Sequence, residues 1–363
     1  MRILQLVNSL ETGGVARQVL DLIRALEERG VDTRVATIKS GRLSGADFSL
    51  RLDSLRGPPA ALAVARLLSV VRDYRPDVVH SHAAHANLVA RLARPLSPGY
   101  RQISTVHSTV ESQSRLHSTA AALTLPLAHV TTGVSWAVAG TVPRSAWRTA
   151  RQPVVVYDMV DTAYFDPGRA VTTPPDRSPK SDVILYVGRL LRPKGVDVLL
   201  EAVALLQQWS RRRAELWVVG EGPELTQLEH VARQRGIIAT FWGRQADPRP
   251  FYQSADVVVV PSRHEGLGLV VGEALSMGRR VVASGLEGLL EIGGVDTLFA
   301  HPGDPTSLAT ALEAALQDEL AHTDAERRQA RRSFVERCFG VQSRVDKWME
   351  LYAGRPVESD ARP

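Results

Sequence analysis

One cysteine in 363 residues, Cys338, excludes an internal disulfide framework and a multi-cysteine zinc site, and it suits a reducing compartment. No apolar run approaches the roughly 18 residues that a membrane-spanning helix requires. Aromatic residues make up only 6% of the chain and are not interleaved with basic clusters, which argues against a nucleic-acid partner. The first residues, MRILQLVN, pass directly into strand-like sequence and a turn, so they do not read as a secretory leader. The net charge of +5 would suit anionic substrates or anionic lipid headgroups, though a solvated arginine-rich face is the favoured explanation of it.

What the chain does contain is an alternation of short β-branched runs with amphipathic stretches. Residues 1–8 read as a buried strand. Apolar positions 15, 16, 19, 20, 22, 23 and 26 predict a helix over 15–29, with Gly30 as its stop. The same alternation continues to about residue 122, breaks over 161–182, where four prolines fall among few apolar residues, and restarts at 183. Strands alternating with helices predict an α/β fold of two Rossmann-like, doubly wound parallel-sheet domains facing across a cleft. The expected domains are 1–160 and 183–342, joined by a linker at 161–182. A last helix over 343–353 has Val345, Trp348, Met349 and Tyr352 on one face, and 354–363 is expected to be a frayed tail.

In such sheets ligands bind beyond the C-terminal strand ends, so the polar residues at those ends carry the chemistry. The stretch VVVVPSRHEGLGLVVGEAL, 257–275, reads as strand, turn and helix start, which sets backbone N–H groups at the positive end of a helix dipole. Glu265 and Glu273 frame that anion site with seven residues between them. Acids beside an anion site suit a ligand that carries both neutral hydroxyls and phosphate, such as a sugar nucleotide. Arg189 and Lys194, in LYVGRLLRPKG, place two cations after a strand, where they can neutralise a pyrophosphate leaving group. Gly13 and Gly14 allow close approach of a phosphate or sugar, though without the dinucleotide G-x-G-x-x-G spacing. Gly243 and Arg244, in FWGRQ, end a strand whose backbone can read a nucleobase edge. His107 ends the strand ISTVH and can donate to a substrate hydroxyl, or serve only as a structural histidine. His80, His82 and His85 fall within six residues. They lack a matching ligand run elsewhere, so supporting contacts, and packing for His80, are expected rather than metal binding.

Together these motifs resemble the retaining glycosyltransferases of family 4, which have the GT-B fold, over nearly the whole chain from residue 1 to about 352. The E-x7-E signature from Glu265 to Glu273 is the most specific part. VGRLLRPKG, VVGEGPE, FWG and ADVVVVPS precede it in the family's order, and HPGDPTSLATAL follows. The resemblance implies that Glu273 holds the ribose hydroxyls, that Glu265 contacts the transferred sugar, and that the Gly266, Leu267 and Gly268 backbone holds sugar hydroxyls and phosphate. It also implies that Arg189 and Lys194 bind the diphosphate, that Gly14 meets it from the other domain, and that His107 sits against the donor sugar. The mechanism implied is front-face transfer, with no metal and no cofactor beyond the nucleoside diphosphate sugar. The helix near 343–352 matches one that returns to the N-terminal domain. Three places depart from the family's pattern: Asp158-Met159-Val160-Asp161 replaces N-G-V-D, Val295-Asp296-Thr297 replaces an N-G stretch, and Gly278-Arg279-Arg280 replaces G-x-P.

The expected activity is transfer of a hexose from a UDP-sugar, ahead of a GDP-sugar, to an acceptor hydroxyl. The acceptor is a glycan, a lipid-linked glycan or a small aglycone. A sugar-nucleotide epimerase of the same architecture and a non-catalytic sugar-nucleotide-binding partner are the rival readings. Arg66, Arg72, Arg91, Arg94, Arg101 and Arg115 are candidates to rest the N-terminal half on an anionic membrane surface, which implies a cytoplasmic protein peripheral at the inner face of the plasma membrane.

Overall fold

The computed structural model describes residues 1–10, 13–39, 46–50, 59–109, 115–142, 152–169, 171, 177–178, 181–210, 213–317 and 325–363. The chain divides into two compact units, Met1–Met159 with Val341–Arg362, and Val160–Gly340.

The first unit runs β1 (Arg2–Val7), α1 (Gly14–Glu27), β2 (Asp32–Thr37), β3 (Phe48–Ser49), α2 (Pro59–Tyr74), β4 (Val78–His82), α3 (Ala84–Ala93), β5 (Arg101–Val106), α4 (Arg115–Thr124), β6 (Val130–Gly133), α5 (Trp136–Thr141) and β7 (Val154–Val155). Its sheet has the order β3-β2-β1-β4-β5-β6-β7, and its pairs are parallel. Ile3, Leu4, Leu6 and Val7 are all buried, as a strand covered on both faces requires. The apolar stripe of α1, with Val19, Leu22 and Leu26, lies inward.

The second unit runs β8 (Ser181–Val187), α6 (Val196–Trp209), β9 (Arg213–Val219), α7 (Leu225–Gln234), β10 (Ala239–Gly243), α8 (Arg249–Ser254), β11 (Val257–Val260), α9 (Leu269–Ser276), β12 (Arg280–Ser284), α10 (Glu287–Gly293), β13 (Thr297–Ala300), α11 (Pro305–Gln317) and a helix at Ala325–Phe339. Its parallel sheet has the order β10-β9-β8-β11-β12-β13. The four valines of β11 are buried, with Val257 in register with Ile184 of β8. In both sheets the chain first winds outward and then returns to the other side of its starting strand. The switch points therefore lie between β1 and β4, and between β8 and β11.

Two expectations are corrected. Residues 354–363 are not a frayed tail. Asp360 is buried and accepts from the Tyr157 N–H at 2.8 Å and from Lys347 Nζ at 2.5 Å, and it pairs with Arg344. Its carbonyl accepts from Trp136 Nε1 at 2.9 Å, and Ser359 Oγ accepts from the Val155 N–H at 3.0 Å. A polar segment stays docked when its carboxylate meets two cations and a backbone donor out of water. The first part of the supposed linker, from Asp161 to Phe165, is built into the second unit. Phe165 is buried edge-on to Tyr252, and its carbonyl accepts from Ser276 Oγ and Arg332 Nη1, each at 2.8 Å. The last helix begins earlier than expected, at Val341, and buries Val345, Trp348, Leu351 and Tyr352 beside Ile3 and Leu22 of the first unit. The strand β6 has no obvious apolar signature because it buries Thr131 and Thr132; the hydroxyl of Thr132 is matched by Thr105 at 2.7 Å.

Replacing Asp360 by Ala leaves Arg344 and Lys347 without their shared carboxylate. We expect a loss of about 3 kcal/mol from the first unit, measured as a lower urea midpoint; an unchanged midpoint contradicts the docking described here.

Candidate active site

In the second unit the loops after β8 and β11 lie at the switch point. Gly188 follows β8, a turn covers Arg192–Lys194, and Gly195 adopts φ +71° before α6 begins. A Cβ on Gly195 would stand 2.0 Å from the Pro261 carbonyl oxygen, so only glycine lets the two loops touch. The Arg263 N–H donates to the Pro193 carbonyl at 2.8 Å, and the Arg263 guanidinium grips Asp197 through two bonds of 2.7 Å. Burial pushes the Asp197 carboxyl up, but the Arg263 pair outweighs it and holds the group below its ordinary value. This frame brings Lys194 Nζ to 2.5 Å from Glu265 Oε1, which also accepts from Ser262 Oγ at 3.1 Å. Arg189 is exposed at the end of β8, where its carbonyl accepts from the Tyr186 hydroxyl at 2.8 Å.

Beyond Glu265 the chain turns through Gly266, buried Leu267 and Gly268, at φ +85°, into α9. The first N–H groups of that helix lack intrahelical acceptors and open on the same sheet edge. Glu273 is buried on α9, and the Tyr252 hydroxyl donates to its Oε2 at 2.8 Å. The loops after β9 and β10 stack beside them: the Gly220 N–H donates to the Gly243 carbonyl at 2.8 Å, and Gln245 Nε2 donates to the Trp242 carbonyl at 2.7 Å. Arg244 is exposed, 3.9 Å from Glu221, an ion pair of little strength in water. Arg189, Lys194, Gly243, Arg244, Glu265, Gly266, Leu267, Gly268 and Glu273 thus gather at one edge of one unit.

In the first unit Gly13 caps α1 at φ +109° and Gly14 opens it, in the connection that follows β1. His107 follows β5. Its Nε2 is 3.1 Å from His82 Nδ1, and its Nδ1 is 3.5 Å from Asp158 Oδ2. His80 is packed between the Tyr352 hydroxyl at 2.8 Å and Thr105 Oγ1 at 2.7 Å. Ala83, next to His82, sits at φ +68°, a strained value for a residue with a Cβ. Among the described residues no group of histidine, cysteine and carboxylate side chains forms a metal-binding cluster. One expected surface cation is corrected: Arg91 is buried, donating to Ser104 Oγ and the Ala121 carbonyl, so it cannot meet a membrane. Its burial follows from polar Ser104 lying under α3. Arg72 is exposed, and the side chain of Arg115 lies outside the described residues. Sequence reasoning passed over Tyr252, Asp197 and Gln5, and gave Arg263 and Asp158 no partner. Arg263 and Asp197 flank motif residues, but nothing local pairs them.

Two Rossmann-like units, each with its polar loops at the switch point of a parallel sheet, define a GT-B protein. The sequence profile described as Glycosyltransferase Family 4 matches residues 12–164, and the one described as Glycosyl transferases group 1 matches 181–318. The chain belongs to this family of glycosyltransferases, enzymes that transfer sugar from a nucleotide sugar. It is 28% identical over 359 residues to the lipopolysaccharide core biosynthesis glycosyltransferase LpsE of Rhizobium meliloti, covering 95% of this chain and 97% of that protein. It is also 28% identical to the D-inositol 3-phosphate glycosyltransferase of Corynebacterium diphtheriae, over 87% of this chain and 84% of that one. In fold it matches Anabaena HepE, solved in complex with UDP and glucose, with a TM-score of 0.82 at 20% identity over 98% of this chain and all of that one.

Burial, with the neighbouring His107 second, holds His80 well below its ordinary value; burial, with His80 and His107 behind it, does the same for His82. The unfolded chain takes up these protons below about pH 6.5 and the folded unit refuses them. Their stabilising contribution is therefore complete above that pH and is lost as pH falls. We expect the first unit to lose about 2–3 kcal/mol between pH 7.5 and 5.5, read as urea midpoints, and His80→Gln to flatten the slope by about one proton. A flat wild-type profile contradicts the neutral, buried pair.

Proposed function

We propose that the chain is a retaining, metal-independent hexosyltransferase that takes a hexose from a UDP-sugar and delivers it to a glycan carried on a lipid. The observation that carries this reading is the Lys194–Glu265 pair at the β8/β11 switch point, with Arg189 exposed on the same edge and Glu273 held by Tyr252 behind it. Arg189 and Lys194 supply positive charge to a diphosphate as the C1–O bond to it breaks, which gives a metal ion's electrostatic role to side chains. Glu265 aligns the sugar and Glu273 grips the ribose. The departing phosphate oxygen removes the proton from the acceptor hydroxyl, whose oxygen bonds to C1 from the same face, so the anomeric configuration is kept.

UDP is preferred over GDP because HepE, of the same fold, is described in complexes with UDP and with UDP-glucose. A lipid-linked glycan is preferred because LpsE and LpsD, each spanning nearly all of this chain, are described as lipopolysaccharide core biosynthesis glycosyltransferases. No helix among the described residues is long and apolar enough to cross a membrane. Contact with such an acceptor would be peripheral, at the inner face of the plasma membrane, with exposed Arg72 among the cations that meet anionic lipid.

The test is a screen of UDP- and GDP-hexoses against lipid-linked glycan acceptors, with the anomeric configuration of product read by NMR and with chelator present. Transfer with retention, undiminished by chelator, is expected. Lys194→Ala and Glu265→Ala should each lower kcat/KM at least about a hundredfold, some 2.7 kcal/mol, while the variants remain folded at the assay temperature. Inverted product, chelator sensitivity or wild-type rates in both variants would each overturn the corresponding part. Failure of the protein to bind anionic vesicles at low salt removes the peripheral-membrane part alone.

A further inference from the structure

One outer strand of the second unit lacks the charges that ordinarily keep sheet edges apart. β10 closes its sheet on one side and pairs with β9 alone. Their register shifts between Phe241 and Gly243, so the straight edge ends at Phe241. Residues 237–242, IIATFW, hold neither a charge nor a proline, the residues that stop an edge strand from adding to another. Ile238 is 56% exposed, and Thr240 is exposed. The other outer strands offer less: β3 and β7 are two residues long, and β13 buries Thr297 and Ala300 at its two ends.

A groove of about 260 Å³ runs between this strand and α7. Ile237, Ala239 and Phe241 line it from the strand, and Glu229 and Arg233 line it from the helix. Glu229 is half-buried and Arg233 exposed. Among the described residues no ion pair links these two charges to one another or to a third group. The backbone has a direction too. The Leu216 N–H donates to the Ile238 carbonyl at 2.8 Å, so Ile238 turns its backbone toward β9. Backbone groups alternate along a strand, and those of Ala239 and Phe241 therefore turn to the open edge.

These features match their own image. A two-fold axis through Thr240, normal to the sheet, lays a second copy of the strand antiparallel to the first. Ala239 then stands opposite Phe241 of the second copy, and the two exchange N–H···O bonds in both directions. Their side chains share the α7 face, so a small residue meets a large one twice. The same axis sets the two α7 helices antiparallel. About their common midpoint Glu229 faces Arg233 of the second copy, and Arg233 faces its Glu229. An unrelated strand would have to supply the outward backbone groups, the small-to-large match and the opposite charges separately. A second copy supplies all three by symmetry.

We propose that the β10 edge and α7 form the interface of a homodimer, in which the two six-stranded sheets join through antiparallel β10 strands. The backbone bonds and the apolar groove give the affinity. The rim charges are weak singly, and they fix the register and disfavour other partners.

Sedimentation equilibrium of the full chain at low salt, over about 1–100 µM, tests this. The wild type should associate to twice the mass of one chain. Glu229→Arg and Arg233→Glu each set like charges together twice, and each should weaken association at least about tenfold. An equimolar mixture of the two variants restores both attractive pairs, and its heterodimer should come within about threefold of wild-type affinity. Thr240→Lys sets a lysine against itself at the axis and should abolish association. A wild type that stays monomeric throughout overturns the proposal. So does association that neither charge reversal nor Thr240→Lys weakens, or a mixture that associates no more tightly than either variant alone.

Discussion

The arrangement of the second unit depends on a backbone contact with no room for a side chain. The loop after β8 and the loop after β11 meet where Gly195 abuts the Pro261 carbonyl, and the Pro193 carbonyl accepts the Arg263 N–H. The contact repeats along the same edge. A Cβ on Gly220 would stand 1.8 Å from the Gly188 carbonyl oxygen, and one on Gly222 would stand 2.2 Å from that of Leu190. Only bare backbone permits this closeness. It brings a lysine and a glutamate 71 residues apart into a 2.5 Å contact at the switch point of the sheet. The bidentate Arg263–Asp197 pair then keeps the two loops from sliding apart.

The two sheets solve burial differently, and the difference bears on function. The second unit fills its central strands with apolar residues, the four valines of β11 above all. In the first unit β4 and β5 bury His80, Ser81, His82, Gln102, Ser104 and Thr105 instead. Such a sheet is stable only if the polar groups satisfy one another, and the His80–Tyr352–Gln5–His82–His107 series does so. The returning C-terminal helix is therefore more than apolar cover. Its Tyr352 hydroxyl is a member of that series, and its Arg344 and Lys347 hold the segment that follows.

Much of this could be read from residue order. Strand, loop and helix succeed one another within thirty residues, so their periodicity and the glycines between them are local signals; the positions of Arg189, Lys194 and Glu265 beyond strand ends, and of Glu273 on the helix that follows, were legible from them. What escaped is polar burial. Asp360 in a charged terminal stretch and Arg91 on an alanine-rich helix look like solvated residues, and only partners distant in sequence take them out of water. Asp158 likewise stood out as a departure in a hinge motif, while its nearness to His107 depends on the fold of the whole unit. Phe165 appeared to belong to a proline-rich linker because its aromatic neighbour, Tyr252, is 87 residues away.

We propose that the glycine-built edge of the second unit binds a nucleoside diphosphate sugar chiefly through its phosphates. Calorimetric titration of the full chain with UDP and with uridine tests this most directly. UDP should bind at least about a hundredfold more tightly than uridine, a difference of some 2.7 kcal/mol, and Arg189→Ala should remove most of that advantage. Equal affinity for the two ligands, or an advantage that survives in Arg189→Ala, would contradict it.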